Sequence, residues 1–163
     1  MLAAAPRFAA DAMLARLARW LRVLGYDTTL DASLPDPQLV RLAHDQGRIL
    51  LTRDRLLLRE LRPSQALEIR DDAPLEQLRQ VVQSLQLVPP AELFTRCTVC
   101  NGVLSEPLDA RERQGLPPDV RELPGPARRC PGCGRLYWRG SHAHRMRTAI
   151  DRTLPGWLPP GTA

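Results

Sequence analysis

Four cysteines are the residues whose spacing points most directly to a chemical role. They form two C-x-x-C pairs, Cys97 with Cys100 and Cys130 with Cys133, and 29 residues separate the pairs. Pairs of this kind each supply two thiolates to a tetrahedral zinc ion. Because four thiolates close the coordination sphere, we expect a structural Zn²⁺ rather than a catalytic one. The alternatives are two disulfides, which a cytoplasmic chain disfavours, and a redox protein that uses the pairs.

Three aspartates lie where predicted strands and helices meet. Asp11 follows a short strand, Asp54 follows the strand at 48–52, and Asp36 precedes a helix begun by Pro37. Strand ends that lead into helices share one edge of a parallel sheet. Carboxylates gathered there suit Mg²⁺ or Mn²⁺, which can activate water against a phosphodiester. The three are therefore candidate catalytic residues, although Asp is equally a preferred helix N-cap.

All 23 basic residues are arginine, which excludes a lysine Schiff base and a P-loop lysine. Arg16, Arg19 and Arg22 recur every third residue along the first predicted helix. Such a stripe either holds RNA phosphates or forms the solvated face of an amphipathic helix. Arg53, next to Asp54, is ambiguous in the same way. We take Arg16, Arg19 and Arg53 as candidate substrate-binding residues.

Two histidines follow the second cysteine pair, directly after Gly140 and Ser141. We interpret His142 as an RNA-contacting residue, because four cysteines leave it no ligand position on zinc. Packing of the turn is the alternative, and His144 shares both interpretations. His44 is expected to be an ordinary surface residue.

Strand-like and helix-like segments alternate through the first half of the chain. Strands are predicted at 7–10, 26–30, 48–52 and 66–70, and helices at 12–24, 37–46, 55–61 and 75–86. This alternation predicts an α/β fold with a parallel sheet flanked by helices.

Charge divides the chain near the first cysteine. The formal net charge is +5; residues 1–95 hold 12 arginines and 12 acids, and residues 96–163 hold 11 arginines and 6 acids. We predict three parts: an α/β domain at 1–92, a four-cysteine zinc ribbon with a C-terminal helix at 93–152, and a disordered Pro/Gly-rich tail at 153–163.

Nothing in the sequence predicts a membrane segment. No stretch approaches the roughly 20 apolar residues that a membrane helix needs. The apolar start is interrupted by Pro6, Arg7 and Asp11, too early for a signal-peptide core. We therefore expect a cytoplasmic protein with no membrane partner.

Five segments together resemble the PIN-like Mut-seven C-terminal RNase domain, namely 7–27, 36–43, 47–54, 96–104 and 130–142. The resemblance extends over residues 7–152. It implies a PIN-like nuclease fold followed by a zinc ribbon, with metal-dependent RNA cleavage as the activity. By the same resemblance Asp11 corresponds to the first-strand acid, Asp36 to the acid that opens the next helix, and Asp54 to the acid of a T-x-D motif.

Two functions are compatible with these residues. The first is an endoribonuclease in which Asp11, Asp36 and Asp54 hold Mg²⁺ or Mn²⁺ and arginines hold RNA. The second is a non-catalytic RNA-binding or adaptor protein in which the same aspartates are helix caps.

Overall fold

The structure, a computed structural model, describes residues 5–161 and contains a larger and a smaller sheet. The strands are β1 (Phe8–Ala10), β2 (Thr28–Thr29), β3 (Ile49–Thr52), β4 (Ala66–Glu68), β5 (Ala127–Arg129) and β6 (Leu136–Trp138). The helices are α1 (Ala15–Val23), α2 (Asp36–Asp45), α3 (Arg55–Leu61), α4 (Pro74–Ser84), α5 (Ala110–Gln114), α6 (Pro118–Arg121) and α7 (Ser141–Thr153), and a 3-10 turn (Ala12–Leu14) precedes α1.

The larger sheet is entirely parallel, with strand order β2-β1-β3-β4. Side chains alternate across it, because successive strand residues point to opposite faces. Phe8 and Ala10 pack in the cluster that includes α1, α4 and α7, whereas Ala9 packs with α2 and α3. Helices therefore cover both faces, and the predicted α/β fold is confirmed.

The helices that follow β1 and β3 pack on opposite faces of the sheet. After β1 it enters α1, whose Leu17 and Leu21 pack on one face of the sheet. After β3 it enters α3, whose Leu57 packs on the other face. The carboxyl ends of β1 and β3 are thus the topological switch point, where open α/β sheets form a ligand-binding crevice.

The cysteine-bearing region has a small core of its own. β5 and β6 pair antiparallel, with Ala127 opposite Trp138. Its two buried clusters contain few residues: one holds Cys97, Leu104 and Cys130, and the other is built around Leu108. Clusters of this size bury little apolar surface, so the region needs another source of stability.

The C-terminal helix contributes to the core of the first half of the chain. Met146 and Ile150 of α7 belong to the same buried cluster as α1 and α4. The expectation of a disordered tail is wrong over its described part, up to residue 161. Leu158 is buried, and Trp157 Nε1 donates to Leu87 O at 3.1 Å. Proline and glycine mark turns there, but the intervening leucine and tryptophan are apolar enough to pack on the core.

In the part of the chain that is described, no helix combines the length and apolar character that crossing a membrane requires.

Candidate functional site

Asp11 and Asp54 meet around Thr52 at the switch point. Thr52, the fully buried last residue of β3, donates its hydroxyl to Asp11 Oδ2 at 2.8 Å. Thr52 Oγ1 in turn accepts from the backbone amide of Asp54 at 3.0 Å. One hydroxyl therefore links two aspartates that follow neighbouring strands. We call Asp11, Thr52 and Asp54 the acid edge.

Each aspartate of the acid edge also bonds to its own helix. Asp54 Oδ1 accepts from the amides of Leu56 at 2.7 Å and Leu57 at 3.0 Å, which makes Asp54 the N-cap of α3. Asp11 Oδ1 accepts a longer bond, 3.4 Å, from Met13. Asp54 Oδ2 has no hydrogen-bond partner within residues 5–161. Capping consequently occupies one oxygen of Asp54 and leaves the other available to a ligand.

Asp36 lies apart from this arrangement. It is the exposed first residue of α2, and the N-cap is Pro35, so the capping interpretation is wrong for Asp36. Pro37 is tolerated in the first turn, which lets the helix begin one residue earlier than expected. Among the described residues no three acids bring their oxygens within 4.8 Å of one another. The catalytic role of Asp36 stays a prediction.

Asp31 is an acid of this edge that the sequence reasoning missed. The register pairs Ala9 with Thr29, so Asp31 after β2 lies level with Asp11 after β1. Asp31 Oδ1 accepts from Ser33 N at 2.9 Å and Ser33 Oγ at 2.6 Å, and these hydrogen bonds lower the pKa of Asp31. Its position just behind the predicted strand at 26–30 was the available signal.

The four cysteines converge on one point. All four Sγ atoms lie within 4.8 Å of one another, with Cys97 to Cys133 at 3.6 Å and Cys100 to Cys130 at 3.3 Å. A tetrahedral site with Zn–S bonds of about 2.3 Å places its sulfurs about 3.8 Å apart. The donor set therefore fits a metal ion such as zinc. All four are free thiols, which contradicts the disulfide alternative.

The two cysteine pairs share one backbone conformation. The amide four residues after the first cysteine returns to its carbonyl, from Asn101 to Cys97 O at 3.0 Å and from Gly134 to Cys130 O at 2.8 Å. Asn101 and Gly134 both have positive φ, +68° and +74°. We call residues 97–102 the first knuckle and 130–135 the second knuckle.

Hydrogen bonds distribute charge unevenly within the cluster. Burial opposes ionisation of Cys97, but the amides of Cys100 and Val99 and the Tyr137 hydroxyl outweigh it and lower the pKa of Cys97 to about 6. For Cys100 the largest influence, the Gly102 amide, favours the thiolate. The neighbouring thiols and burial outweigh it and raise the pKa of Cys100 to about 12. A dication bound by all four cysteines would remove this difference, because a coordinated thiol is deprotonated.

Buried Arg22 joins the first knuckle to the sheet. Its Nε donates to Thr28 O at 2.9 Å, and its Nη1 donates to Thr98 O at 3.1 Å and Val99 O at 3.0 Å. Burial lowers the pKa of Arg22. Neither interpretation of the arginine stripe holds for Arg22, because its partners are protein carbonyls rather than phosphate or solvent.

Asn101 makes a second connection across the same interface. Its Oδ1 accepts from Thr28 N at 2.9 Å, and its Nδ2 donates to Asp27 Oδ1 at 2.8 Å. Asp27 in turn pairs with buried Arg48 at 2.8 Å. The first knuckle thereby covers the outer edge of β2 and satisfies an amide that an edge strand leaves unpaired.

The predicted RNA-contacting residues fall in different places. Arg19 and His142 line one cavity of about 420 Å³ between α1, β6 and α7. Arg53 forms an ion pair with Asp72, which follows β4. Arg16 is exposed on α1 and has no ion pair within residues 5–161. The structure therefore brings Arg19 and His142 together, away from Arg53.

Comparison with known proteins identifies the family of the chain. A search of curated proteins finds no match, and a search of solved structures finds none. The family model described as the Mut7-C RNAse domain matches residues 6–150, which include the acid edge and both knuckles. The chain therefore belongs to the Mut7-C RNAse domain family.

Proposed function

We propose that the protein is a metal-dependent ribonuclease whose active site is the acid edge. The observation that carries this proposal is the Thr52 hydroxyl, which links Asp11 and Asp54 at the switch point of the sheet. The family suggests a nuclease in general terms, and an acidic crevice between parallel strands is suited to that chemistry.

The residues of the acid edge have separate tasks. Thr52 orients the Asp11 carboxylate, and the amides of α3 hold one oxygen of Asp54, which leaves the other oxygen to bind a metal ion. Asp31 and Asp36 are the candidates for a further ligand. A Mg²⁺ or Mn²⁺ ion bound here would polarise water and neutralise charge on the phosphate.

The cysteine cluster has a structural task in this proposal. Four thiolates leave no open position for water, so Zn²⁺ would stabilise the ribbon rather than take part in hydrolysis. We assign residues 1–92 to the catalytic domain and the ribbon at 93–152 to RNA binding. The proposed compartment is the cytoplasm, where thiols stay reduced.

The decisive experiment removes the negative charge of Asp54 and keeps its role as the N-cap of α3. Asn is about as good an N-cap as Asp, so Asp54→Asn should fold normally. With Mn²⁺ and a fluorescent single-stranded RNA, we expect cleavage to fall by more than the roughly 10- to 100-fold typical of residues behind the metal ligands.

A matched control is Asp109→Asn, because Asp109 is also an N-cap, in the exposed capping box of α5. It should cleave like the wild type. An Asp54→Asn variant that cleaves at the wild-type rate would contradict the assignment.

A second candidate is a non-catalytic RNA-binding or adaptor protein. It is favoured by the bonds of Asp54 and Asp11 to their own helix amides. This candidate predicts salt-sensitive RNA binding without turnover, and thermal destabilisation by Asp54→Ala but not by Asp54→Asn.

A further inference from the structure

Trp138 lies between two cavities far along the chain from the acid edge. It ends β6, its residue exposure is 39%, and it lines both a cavity of about 240 Å³ and the cavity of about 420 Å³ described above. The two cavities share five lining residues: Phe94, Tyr137, Trp138, Gly140 and Ala143. We call the two together the Trp138 groove.

The Trp138 groove is rich in unpaired positive charge. Arg19 of α1, Arg135 of the second knuckle and Arg139 line it, and none has an ion pair or side-chain hydrogen bond within residues 5–161. Glu92 is the one acid that lines it in the described chain, and Arg128 pairs with Glu92 at 3.0 Å. An anionic ligand would therefore meet three uncommitted guanidinium groups, whose forked donors match phosphate oxygens.

The tryptophan adds a second recognition element. A Cβ at Gly140 would lie 2.8 Å from Trp138 Nε1, so the absence of a side chain lets the indole lie against the start of α7. The ring thus packs against the backbone at Gly140 while part of it stays exposed. A partly exposed aromatic ring beside arginines suits an unpaired nucleobase with its flanking phosphates.

We propose that the Trp138 groove binds single-stranded RNA, with one base stacked on Trp138 and adjacent phosphates held by Arg19, Arg135 and Arg139. This inference rests on the proposed ribonuclease function, because it specifies how the same substrate is held. Arg19 lies on α1, the helix that the chain enters after Asp11 and the 3-10 turn. Because α1 joins the groove to the acid edge, we expect one RNA strand to extend from the groove toward the acid edge.

The proposal is tested by measuring RNA binding under conditions that do not support cleavage. Zinc-loaded full-length protein is titrated into a fluorescent 12-nucleotide single-stranded RNA without added Mg²⁺ or Mn²⁺, and anisotropy is recorded at several salt concentrations. Trp138→Leu should weaken binding about 5- to 150-fold, the range of one base–aromatic stack. Trp138→Phe keeps a ring and should bind within about threefold of the wild type.

The arginines give an independent measurement. Arg19→Gln and Arg139→Gln should each weaken binding and reduce the slope of log K against log salt by about 0.7. Arg111→Gln is the matched control, because Arg111 is an exposed arginine of α5 that lines neither cavity. Should Trp138→Leu lose its zinc or fail to fold, the two arginine variants decide the question.

Three results would contradict the proposal that the Trp138 groove binds single-stranded RNA. These are folded groove variants that bind RNA as tightly as the wild type, duplex RNA that binds as tightly as single strands, and polyglutamate that competes as well as RNA. The last would identify an acidic-peptide site instead. Failure of the nuclease proposal has a different signature. Mn²⁺-dependent cleavage is then absent while the groove variants still lose binding, and Asp54→Asn binds RNA normally in either case.

Discussion

The two knuckles have the same backbone and different surroundings. The residue after the second cysteine is Asn101 in one and Gly134 in the other, both at positive φ. The Asn101 side chain bonds to Thr28 and Asp27, whereas no atom lies within 4 Å of where a Gly134 Cβ would be. The local conformation therefore brings the cysteine ligands together in both knuckles, and the Asn101 side chain adds a contact with the sheet that Gly134 cannot make.

This difference divides two tasks between the knuckles. The first is anchored, since buried Arg22 bonds to its carbonyls and Asn101 completes the edge of β2. The second is exposed over residues 131–135 and contributes Arg135 to the Trp138 groove. A metal ion held by both knuckles would thus connect the parallel sheet to the proposed RNA-binding surface.

Metal removal should have the largest effect on stability, and it should affect the two knuckles differently. A structural zinc is worth about 10–16 kcal/mol in small zinc domains, so a chelator should unfold the ribbon and lower the thermal midpoint strongly. Because Arg22 continues to hold the first knuckle, the Gly134 amide should lose exchange protection before the Asn101 amide does. Hydrogen exchange measures the order, and simultaneous loss would show that the anchor does not act without metal.

Asp27→Asn should have the next largest effect, because it leaves buried Arg48 without its carboxylate. Burial of Asp27 opposes ionisation, but hydrogen bonds from Arg48 and Asn101 outweigh it and lower the pKa of Asp27. The contribution to stability is thus present above the unfolded value near 4 and is lost as pH falls through the lowered folded value. We expect a loss of about 2 kcal/mol at pH 7.

The pH dependence of Asp27 is measured by denaturant unfolding between pH 7 and pH 2. The difference between the wild type and Asp27→Asn should shrink as the pH falls. Asp45→Asn, at the exposed end of α2, is the control and should follow the wild-type curve. A difference that stays constant with pH would show that the carboxylate charge is not the cause.

Asn101→Gly should lower the free energy of unfolding by a smaller amount, about 1–2 kcal/mol, because it leaves the Thr28 amide without its acceptor. Glycine adopts the positive φ, so one zinc per chain should still bind. Faster exchange of the Thr28 amide would locate the loss. Unchanged stability would mean that water replaces the side chain at the edge of β2.

Gly134→Asn, the reverse exchange, should have the smallest effect. Asn tolerates positive φ and the space around Gly134 is open, so we expect a change within about 0.5 kcal/mol. The variant should gain no new contact with the sheet. A loss above 1 kcal/mol in chemical unfolding would reveal a constraint on the second knuckle.

Local sequence patterns were sufficient to predict the α/β fold and the convergence of the four cysteines. Alternation of strand-like and helix-like segments predicted the parallel sheet, because residue propensity and apolar runs depend on neighbours in the sequence. Two C-x-x-C pairs predicted convergent ligands, since each pair forms its knuckle from its own backbone. Asp11 and Asp54 were placed on one edge by the rule for parallel strand ends.

What the sequence by itself determined is therefore local: element type, knuckle conformation and the acids that follow strands. The tertiary structure decided the rest. Arg22 resembles its exposed neighbours in the sequence, and it is buried because it bonds to carbonyls 76 and 77 residues away. The packed tail and the Trp138 groove likewise depend on pairings between distant segments. No local period encodes such pairings, because burial and charge compensation are properties of the assembled surface.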